Sequence, residues 1–314
     1  MTVFIDPDGS AGSLREMLYA GNLVVLTRLQ AVSDLVEHTR AQLTDLFRPH
    51  DPEHAHEHFE PAEMARMLGA WKPAFIHSDA AKKLTRAIIA EAGLPDQQMH
   101  YDVPRPRTSF PVGHLTTGVA FAFPWHRDAW YSAPPQQLNW WMPVYPARPD
   151  NSMAFDLNYF AKSVPNDSET FDYYEINSRR LTTAAQVTKE RQARPGAQGH
   201  QPASELVVLP SPGAILLFSG AQLHTSIPNT SGLARYSIDF RTVDASDLLA
   251  GRGAPLVDAR CTGTSIRDFR NVADDSQFAE ETVTSIFGAP PPGAMLVFGE
   301  EQARQAATSA GGPA

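Results

Sequence analysis

Two short segments carry residues whose types and spacing could hold a metal ion. Residues 121–130 read FAFPWHRDAW. On an extended strand, residues two apart point the same way. His126 and Asp128 then share one face, and Phe121, Phe123, Trp125 and Arg127 share the other. An imidazole and a carboxylate side by side supply two of the three ligands of a facial metal site. By itself a His-x-Asp pair is common, and a hydrogen-bonded structural pair is the more economical reading. The second segment, residues 213–241, reads GAILLFSGAQLHTSIPNTSGLARYSIDFR. An apolar strand leads into His224, a turn rich in Pro, Asn, Ser and Gly covers 228–232, and a last strand opens at Arg235. Alternation puts Arg235, Ser237, Asp239 and Arg241 on one face and Tyr236, Ile238 and Phe240 on the other. The apolar face must be buried, so the polar face looks into solvent or into a polar cavity. Read as a hairpin, this segment brings His224 close to Arg235.

Composition narrows the chemistry. The chain has 314 residues, room for one large domain or two ordinary ones. Lys and Arg number 26 against 35 Asp and Glu, a net charge of −9. That balance disfavours nucleic acid and anionic membrane as partners, since both need clustered positive charge. A hydrophobic share of 42% argues against global disorder. The lone cysteine, Cys261, excludes an intrachain disulfide and any Cys-rich zinc or iron–sulfur site. With 11 His present, a metal would be held by imidazoles and carboxylates. Residues 1–10 lack the basic and apolar regions of a secretory signal, and no apolar run approaches ~18 residues, the length of a membrane span. A soluble cytoplasmic protein is expected.

The elements that must position these residues fall into three stretches. Residues 1–98 read as mostly helical support. A short strand is expected at 22–30, followed by helices at 33–47, from Pro61 to about Leu68, and one capped by Ser78. From 99 to 243 short strand-like runs are separated by Pro, Gly and Asn (101–110, 117–125, 138–145, 152–157, 205–209, 213–219 and 235–243), without the spacing of βαβ units. This pattern predicts a mainly β core with flanking helices, an antiparallel sandwich or barrel. A polar insertion at 162–203 interrupts it, either a lid or a plain surface excursion. Residues 244–300 form a C-terminal extension of one catalytic domain, and 301–314, without large apolar side chains, form a flexible tail.

With both segments in order, the chain resembles the phytanoyl-CoA dioxygenase-like branch of the Fe(II)/2-oxoglutarate dioxygenases. The matching residues are His126-Arg127-Asp128, His224 some 98 positions on, Arg235 eleven positions later and Ser237 two further. The resemblance covers about 101–243. It implies a double-stranded β-helix, the jelly-roll or cupin-like core. It also implies Fe(II) held by His126, Asp128 and His224, with 2-oxoglutarate and O2 in the remaining positions. Arg235 would grip the far carboxylate of 2-oxoglutarate, helped by Ser226 and Ser237. Either hydroxyl could equally be a turn or strand serine. The charges of Fe(II), Asp128, 2-oxoglutarate and Arg235 then sum to zero, as a low-dielectric pocket favours. The implied activity is oxidative decarboxylation of 2-oxoglutarate to succinate and CO2, coupled to hydroxylation of a C–H bond in a small organic molecule. Because Asp128 is a carboxylate and not a small residue, halogenation is disfavoured. Desaturation, cyclisation, epimerisation or demethylation would use the same ligands. A metal-binding β-barrel sensor without turnover is the alternative from another class. A homodimer is compatible with all of these.

Substrate-wall candidates follow from position. Arg107 lies on the strand before the metal segment, with Arg105 and Ser109 on its face. They form either a clamp for an anionic substrate or ion pairs with surplus acids, and the ion pairs are favoured. Trp130 and Tyr131 follow the His-x-Asp pair, as wall or as core. Asn139, Trp141 and Tyr145 share a strand face opposite Trp140. Arg127 should point away from the metal into a structural salt link. Asp239, inside the barrel, needs a partner such as Arg241 or Arg107. The His-rich run 50–58 reads as a solvated connection more than as a second metal site.

Overall fold

The computed structural model describes residues 1–111, 114–115, 120, 122–177 and 194–294. The expected strand at 117–125, the middle of the 162–203 insertion and the 301–314 tail lie wholly or partly outside these residues.

The chain is a mixed α/β protein with a sheet-rich core. β1 (Val3–Ile5) runs parallel to β2 (Leu23–Leu26), and α1 (Ala11–Tyr19) connects them. Helices α2 (Gln30–Phe47), α3 (Pro61–His77) and α4 (Asp79–Glu91) follow. The next strands are β3 (Met99–Tyr101), β4 (Arg105–Ser109), β5 (Leu138–Pro143), β6 (Met153–Asp156) and β7 (Glu205–Val207). Then come β8 (Ile215–Ser219), β9 (His224–Ser226), β10 (Arg235–Asp244) and β11 (Arg270–Asn271). Among the described residues they form two sheets. The larger has eight strands in the order β1-β2-β8-β5-β10-β3-β11, with β4 also on β10; the smaller is β7-β6-β9. No helix among the described residues is long and apolar enough to cross a membrane.

Side-chain alternation explains how the layers stack. One face of the large sheet presents Trp140 and Met142 from β5, Ile215 and Leu217 from β8, and Tyr236, Ile238 and Phe240 from β10. These pack against Val32, Leu35, Leu43, Leu68, Phe75 and Ile88 of the helices. Trp140 stacks on Phe240 with centroids 5.2 Å apart. Burial of each such side chain contributes roughly 1.5–3 kcal/mol. The other face carries Trp141, Leu216 and Phe218 toward Phe155 of the small sheet. Between the sheets lies the cavity that receives the polar face of β10.

Several sequence expectations shift. The helix from Pro61 continues to His77, past an internal Pro73, because Trp71 and Phe75 add buried contacts beyond Leu68. The helix expected from 33 begins at Gln30, while Ser78 caps α4 by accepting from the Ala81 N–H, as read. The 101–110 run divides into β3 and β4, and both pair with β10. The large sheet also extends beyond the 101–243 window: β1 and β2 join one edge and β11 the other. The hairpin reading is corrected. β9 belongs to the small sheet and β10 to the large one, so the 228–232 turn crosses between sheets. Its apolar face draws β10 onto the helices, and His224 instead pairs with Phe155.

Candidate metal centre

His126 and His224 meet in an isolated antiparallel bridge, in which each backbone N–H donates to the other's carbonyl at 2.9 Å. Both side chains therefore leave the backbone side by side, with ring centroids 4.2 Å apart. Asp128 is not on a strand, as alternation suggested. It opens a 3-10 turn, Asp128–Tyr131, which swings its carboxylate back toward the two rings. One oxygen lies 3.5 Å from His126 Nε2. One ligand atom from each of His126, Asp128 and His224 falls within 4.8 Å of the others, and all three residues are buried. Among the described residues no other group of three metal-ligating side chains meets that geometry.

The surroundings fix the chemistry of these donors. His126 Nδ1 is 2.8 Å from the Pro124 carbonyl, and His224 Nδ1 is 3.0 Å from the Gln222 carbonyl. A carbonyl can only accept, so each Nδ1 donates to it and each ring turns its Nε2 toward the centre. Burial, then the neighbouring His126, lowers the His224 pKa to about 4, which keeps the ring neutral and able to ligate. Burial works against charge on Asp128. The contacts with His126, Arg241 and His224 overcome it and hold the carboxyl well below its usual range. The outer oxygen of Asp128 accepts from Gln137 Nε2 at 3.1 Å, and Arg241 Nε lies 3.8 Å away. Gln137 in turn donates to Asn139 Oδ1 at 2.9 Å. Partners of this kind orient a ligand and tune its basicity.

The triad lines a cavity of about 370 Å³. Arg235, Ser237, Asp239 and Arg241 enter it from β10, and Ser226 from β9, so of the two settings open to it the polar face of β10 takes the cavity. Arg235 is buried, its guanidinium carbon 5.8 Å from the centroid of the Trp141 ring. Among the described residues its Nε and the Ser237 hydroxyl have no hydrogen-bond partner. Burial lowers the Arg235 pKa to about 10, with Asp239 and Arg107 acting in opposite directions. Ser226 Oγ accepts from the Phe123 N–H at 3.2 Å, tying β9 to the metal segment. Arg107 does form the expected ion pair: its guanidinium reaches both Asp239 oxygens at 2.6 and 3.1 Å. Arg241 also pairs with Asp239 at 3.2 Å, so both candidate partners are used.

Of the substrate-wall candidates, Tyr131, Asn139, Trp141 and Arg107 line the cavity. Trp130 lies elsewhere. The 3-10 turn rotates it away from Tyr131 into a cluster with Val164 and Leu223, where its Nε1 donates to Asp258 at 2.7 Å. Arg127 points the same way and pairs with Asp258 at 3.2 Å. The His-rich run contains a 3-10 turn, with His54 bonded to Glu57 and His50 stacked on His58.

Sequence reasoning missed Gln137 and Lys72 on the cavity wall and Asp258 behind the ligand turn, and took Tyr173 only as part of the 162–203 insertion.

No protein-family model matches the chain. No curated protein matches it either. Similar solved structures include EvdO2 from Micromonospora carbonacea var. aurantiaca, solved alone and complexed with 2-oxoglutarate. It is 14% identical, covering 76% of this chain and 92% of that one at a TM-score of 0.45. The non-haem α-ketoglutarate-dependent epimerase SnoN from nogalamycin biosynthesis is 13% identical, with coverages of 83% and 99% and a TM-score of 0.39. The carbocyclase SnoK from nogalamycin biosynthesis is 12% identical, with coverages of 79% and 94% and a TM-score of 0.38. At these scores the likenesses bear no weight for function, and the geometry of the site must carry it.

Proposed function

We propose that the chain is a non-haem Fe(II)/2-oxoglutarate-dependent oxygenase of the phytanoyl-CoA dioxygenase-like branch, built on a double-stranded β-helix, that hydroxylates a C–H bond of a small organic molecule. One observation carries the reading. A buried His126–Asp128–His224 triad shares a cavity with the buried Arg235 Nε and Ser237 hydroxyl, which have no hydrogen-bond partner among the described residues. The donor set suits Fe(II), which accepts two imidazoles and a carboxylate on one face. A buried guanidinium nitrogen without a partner is costly, and a carboxylate is the ligand a planar guanidinium fork matches. The residues present therefore fit both groups. When bound, Fe(II) and 2-oxoglutarate supply, with O2, the oxidation of the substrate and the release of succinate and CO2.

The chain's own residues do the rest. His126 and His224 aim Nε2 at the centre because backbone carbonyls hold their Nδ1–H groups. Asp128 is kept charged and aimed by Gln137 and Arg241. Arg235 and Ser237 take the far carboxylate. Trp141, Phe218 and Met153 give that part of the cavity apolar walls, and Tyr131, Tyr173 and Phe269 line it elsewhere. We place the substrate against this second group, with Asn139 and Arg107 in reach.

The test is anaerobic titration of Fe(II) and 2-oxoglutarate into the metal-free chain. A weak visible charge-transfer band is expected only when both are present. Its absence from folded protein would sink the reading. Arg235→Ala should raise the 2-oxoglutarate concentration needed for half of the band by roughly tenfold or more, the worth of a charged hydrogen bond. An unchanged requirement would remove Arg235 from the site.

A further inference from the structure

We propose that the substrate is an uncharged molecule with an alcohol or ketone oxygen, and that the Ser265 hydroxyl, from the segment after β10, is the group that reads this oxygen. The inference rests on the oxygenase reading above and deepens it by naming the substrate class. Ser265 lines the same cavity as the metal triad, Asn139 and Phe269. Its hydroxyl oxygen is buried and has no hydrogen-bond partner among the described residues. A buried polar group left unpaired is costly, which favours a ligand that pairs with it.

Hydrogen bonds fix where that hydroxyl stands. The Ser265 N–H donates to the Ser132 carbonyl at 3.0 Å, and Ser132 Oγ donates to the Thr262 carbonyl at 2.7 Å. Cys261 Sγ lies 3.1 Å from the Ala129 carbonyl. Residues 261–265 are thereby fastened along the turn that carries Asp128 and Tyr131. A 3-10 turn, Ile266–Asp268, then leads into Phe269. In the large sheet Asn139 lies opposite Arg241, the Asp102 N–H donates to the Arg241 carbonyl at 3.0 Å, and Tyr101 lies opposite Arg270. Asn139, Arg241, Asp102 and Phe269 thus follow one another across the cavity floor, with Ser265 four residues before the last of them.

The groups this part of the cavity offers are neutral. Asp128 only accepts, so Gln137 must present Nε2 to it, and the same nitrogen donates to Asn139 Oδ1 at 2.9 Å. Asn139 therefore turns its oxygen to Gln137 and its Nδ2 away, as a second neutral donor. The charged groups are committed to one another. Asp102 pairs with Arg105 and, at 3.3 Å, with Arg241. Asp239 pairs with Arg107 at 2.6 Å and with Arg241 at 3.2 Å. Lys72 donates to Thr108, Asp268 accepts from Tyr173, and the Arg194 guanidinium lies 5.0 Å from the centroid of Phe123. An ionic substrate would compete with these pairs, whereas a neutral oxygen meets Ser265 without disturbing them. Tyr131 and Phe269 supply apolar wall for the carbon frame. A site that hydrogen-bonds a substrate oxygen also rejects the analogue that lacks it.

The test uses one carbon frame with different substituents: cyclohexanol, cyclohexanone, cyclohexylamine, cyclohexanecarboxylate and methylcyclohexane. Each is titrated against the full-length chain loaded with Mn(II) and saturated with 2-oxoglutarate. Paramagnetic relaxation of the probe's protons reads its affinity and its closeness to the metal. Cyclohexanol and cyclohexanone should bind beside the metal, and more tightly than the amine or the carboxylate. Ser265→Ala should weaken these two by roughly fivefold, the worth of a neutral hydrogen bond, and leave methylcyclohexane as it was.

Three results overturn the proposal and leave the oxygenase reading intact: no binding of the alcohol and ketone to the loaded wild type, tighter binding of either charged probe, or unchanged alcohol and ketone affinity in Ser265→Ala. An equal loss for methylcyclohexane also overturns it, by showing that Ser265 shapes the wall and does not pair with the oxygen. Failure of the Mn(II)-loaded wild type to bind 2-oxoglutarate overturns the oxygenase reading, and this proposal with it.

Discussion

At the scale of single residues, the centre is organised by what lies behind each ligand. The two imidazoles are set by carbonyls of Pro124 and Gln222, two residues before each ring, so their orientation is local. Asp128 differs, because its outer oxygen depends on Gln137 and Arg241, which arrive from β5's approach and from β10. The two kinds of support predict graded effects. Asp128→Ala should abolish stoichiometric Fe(II) binding with little change in the melting temperature. Gln137→Leu should keep the metal but weaken its affinity by about 10–100-fold, the usual effect of an outer partner. Metal content after dialysis against graded chelator separates them, and a Gln137→Leu protein with wild-type affinity would dismiss the amide's role.

At the scale of elements, the ligand turn is anchored on its far side by one carboxylate. Asp258 accepts from Trp130 Nε1 at 2.7 Å and from the Val164 N–H at 2.9 Å, and it pairs with the buried Arg127. Arg127 also donates to the Phe160 and Lys162 carbonyls, at 3.2 and 2.7 Å. The segment after β10 is thus part of what holds His126 and Asp128 in place. Removing one partner of a buried pair leaves an uncompensated charge, at a cost of about 3–5 kcal/mol. Asp258→Ala should lower stability by that amount in urea unfolding of the metal-free chain, whereas a loss below about 1 kcal/mol would show that the backbone carbonyls satisfy Arg127 alone. The alternation of β10 was legible in the sequence because period-two patterning is a property of neighbouring residues. Trp130 was not, because a single turn of 3-10 helix after Arg127 replaces the alternation there.

At the scale of the molecule, charges buried between layers set the response to pH. Burial opposes the charge on Asp247, and the hydrogen bonds from Arg15 and Arg252 overcome it, so its pKa is lowered. Burial likewise opposes charge on Asp239, and Arg107 and Arg241 prevail. Depressed carboxylates stabilise the fold above their unfolded value of about 3.9, and that stability is lost as pH falls below it through the folded values. His100, stacked on Phe278 at 3.6 Å, is lowered by burial. Its contribution is present above about pH 6.5 and is lost as pH falls through its lowered value. The urea midpoint of the metal-free chain should therefore decline below about pH 6.5 and drop more steeply below about 4. A midpoint that rose on acidification would contradict these assignments.

The sequence by itself determined which residues could bind a metal, their order, and the polar face that meets them. Spacing offered His126 and Asp128 as a possible ligand pair and alternation offered the polar face of β10, while the full set with His224, Arg235 and Ser237 was what the family resemblance implied. Only the tertiary structure decided that β9 and β10 lie in different sheets, that Trp130 faces away from the cavity toward Asp258, and that Gln137 and Lys72 line the cavity. Lys72 sits on a helix far from the metal segments in sequence, and nothing in residues 61–77 marks one lysine as facing a cavity. Its place depends on how α3 docks on β4, which follows from the buried side chains of the whole helix layer and from no short run of residues. The acidic balance of the chain likewise said nothing about this pocket, because a net charge sums over the surface while the cavity collects its cations from α3, β4 and β10.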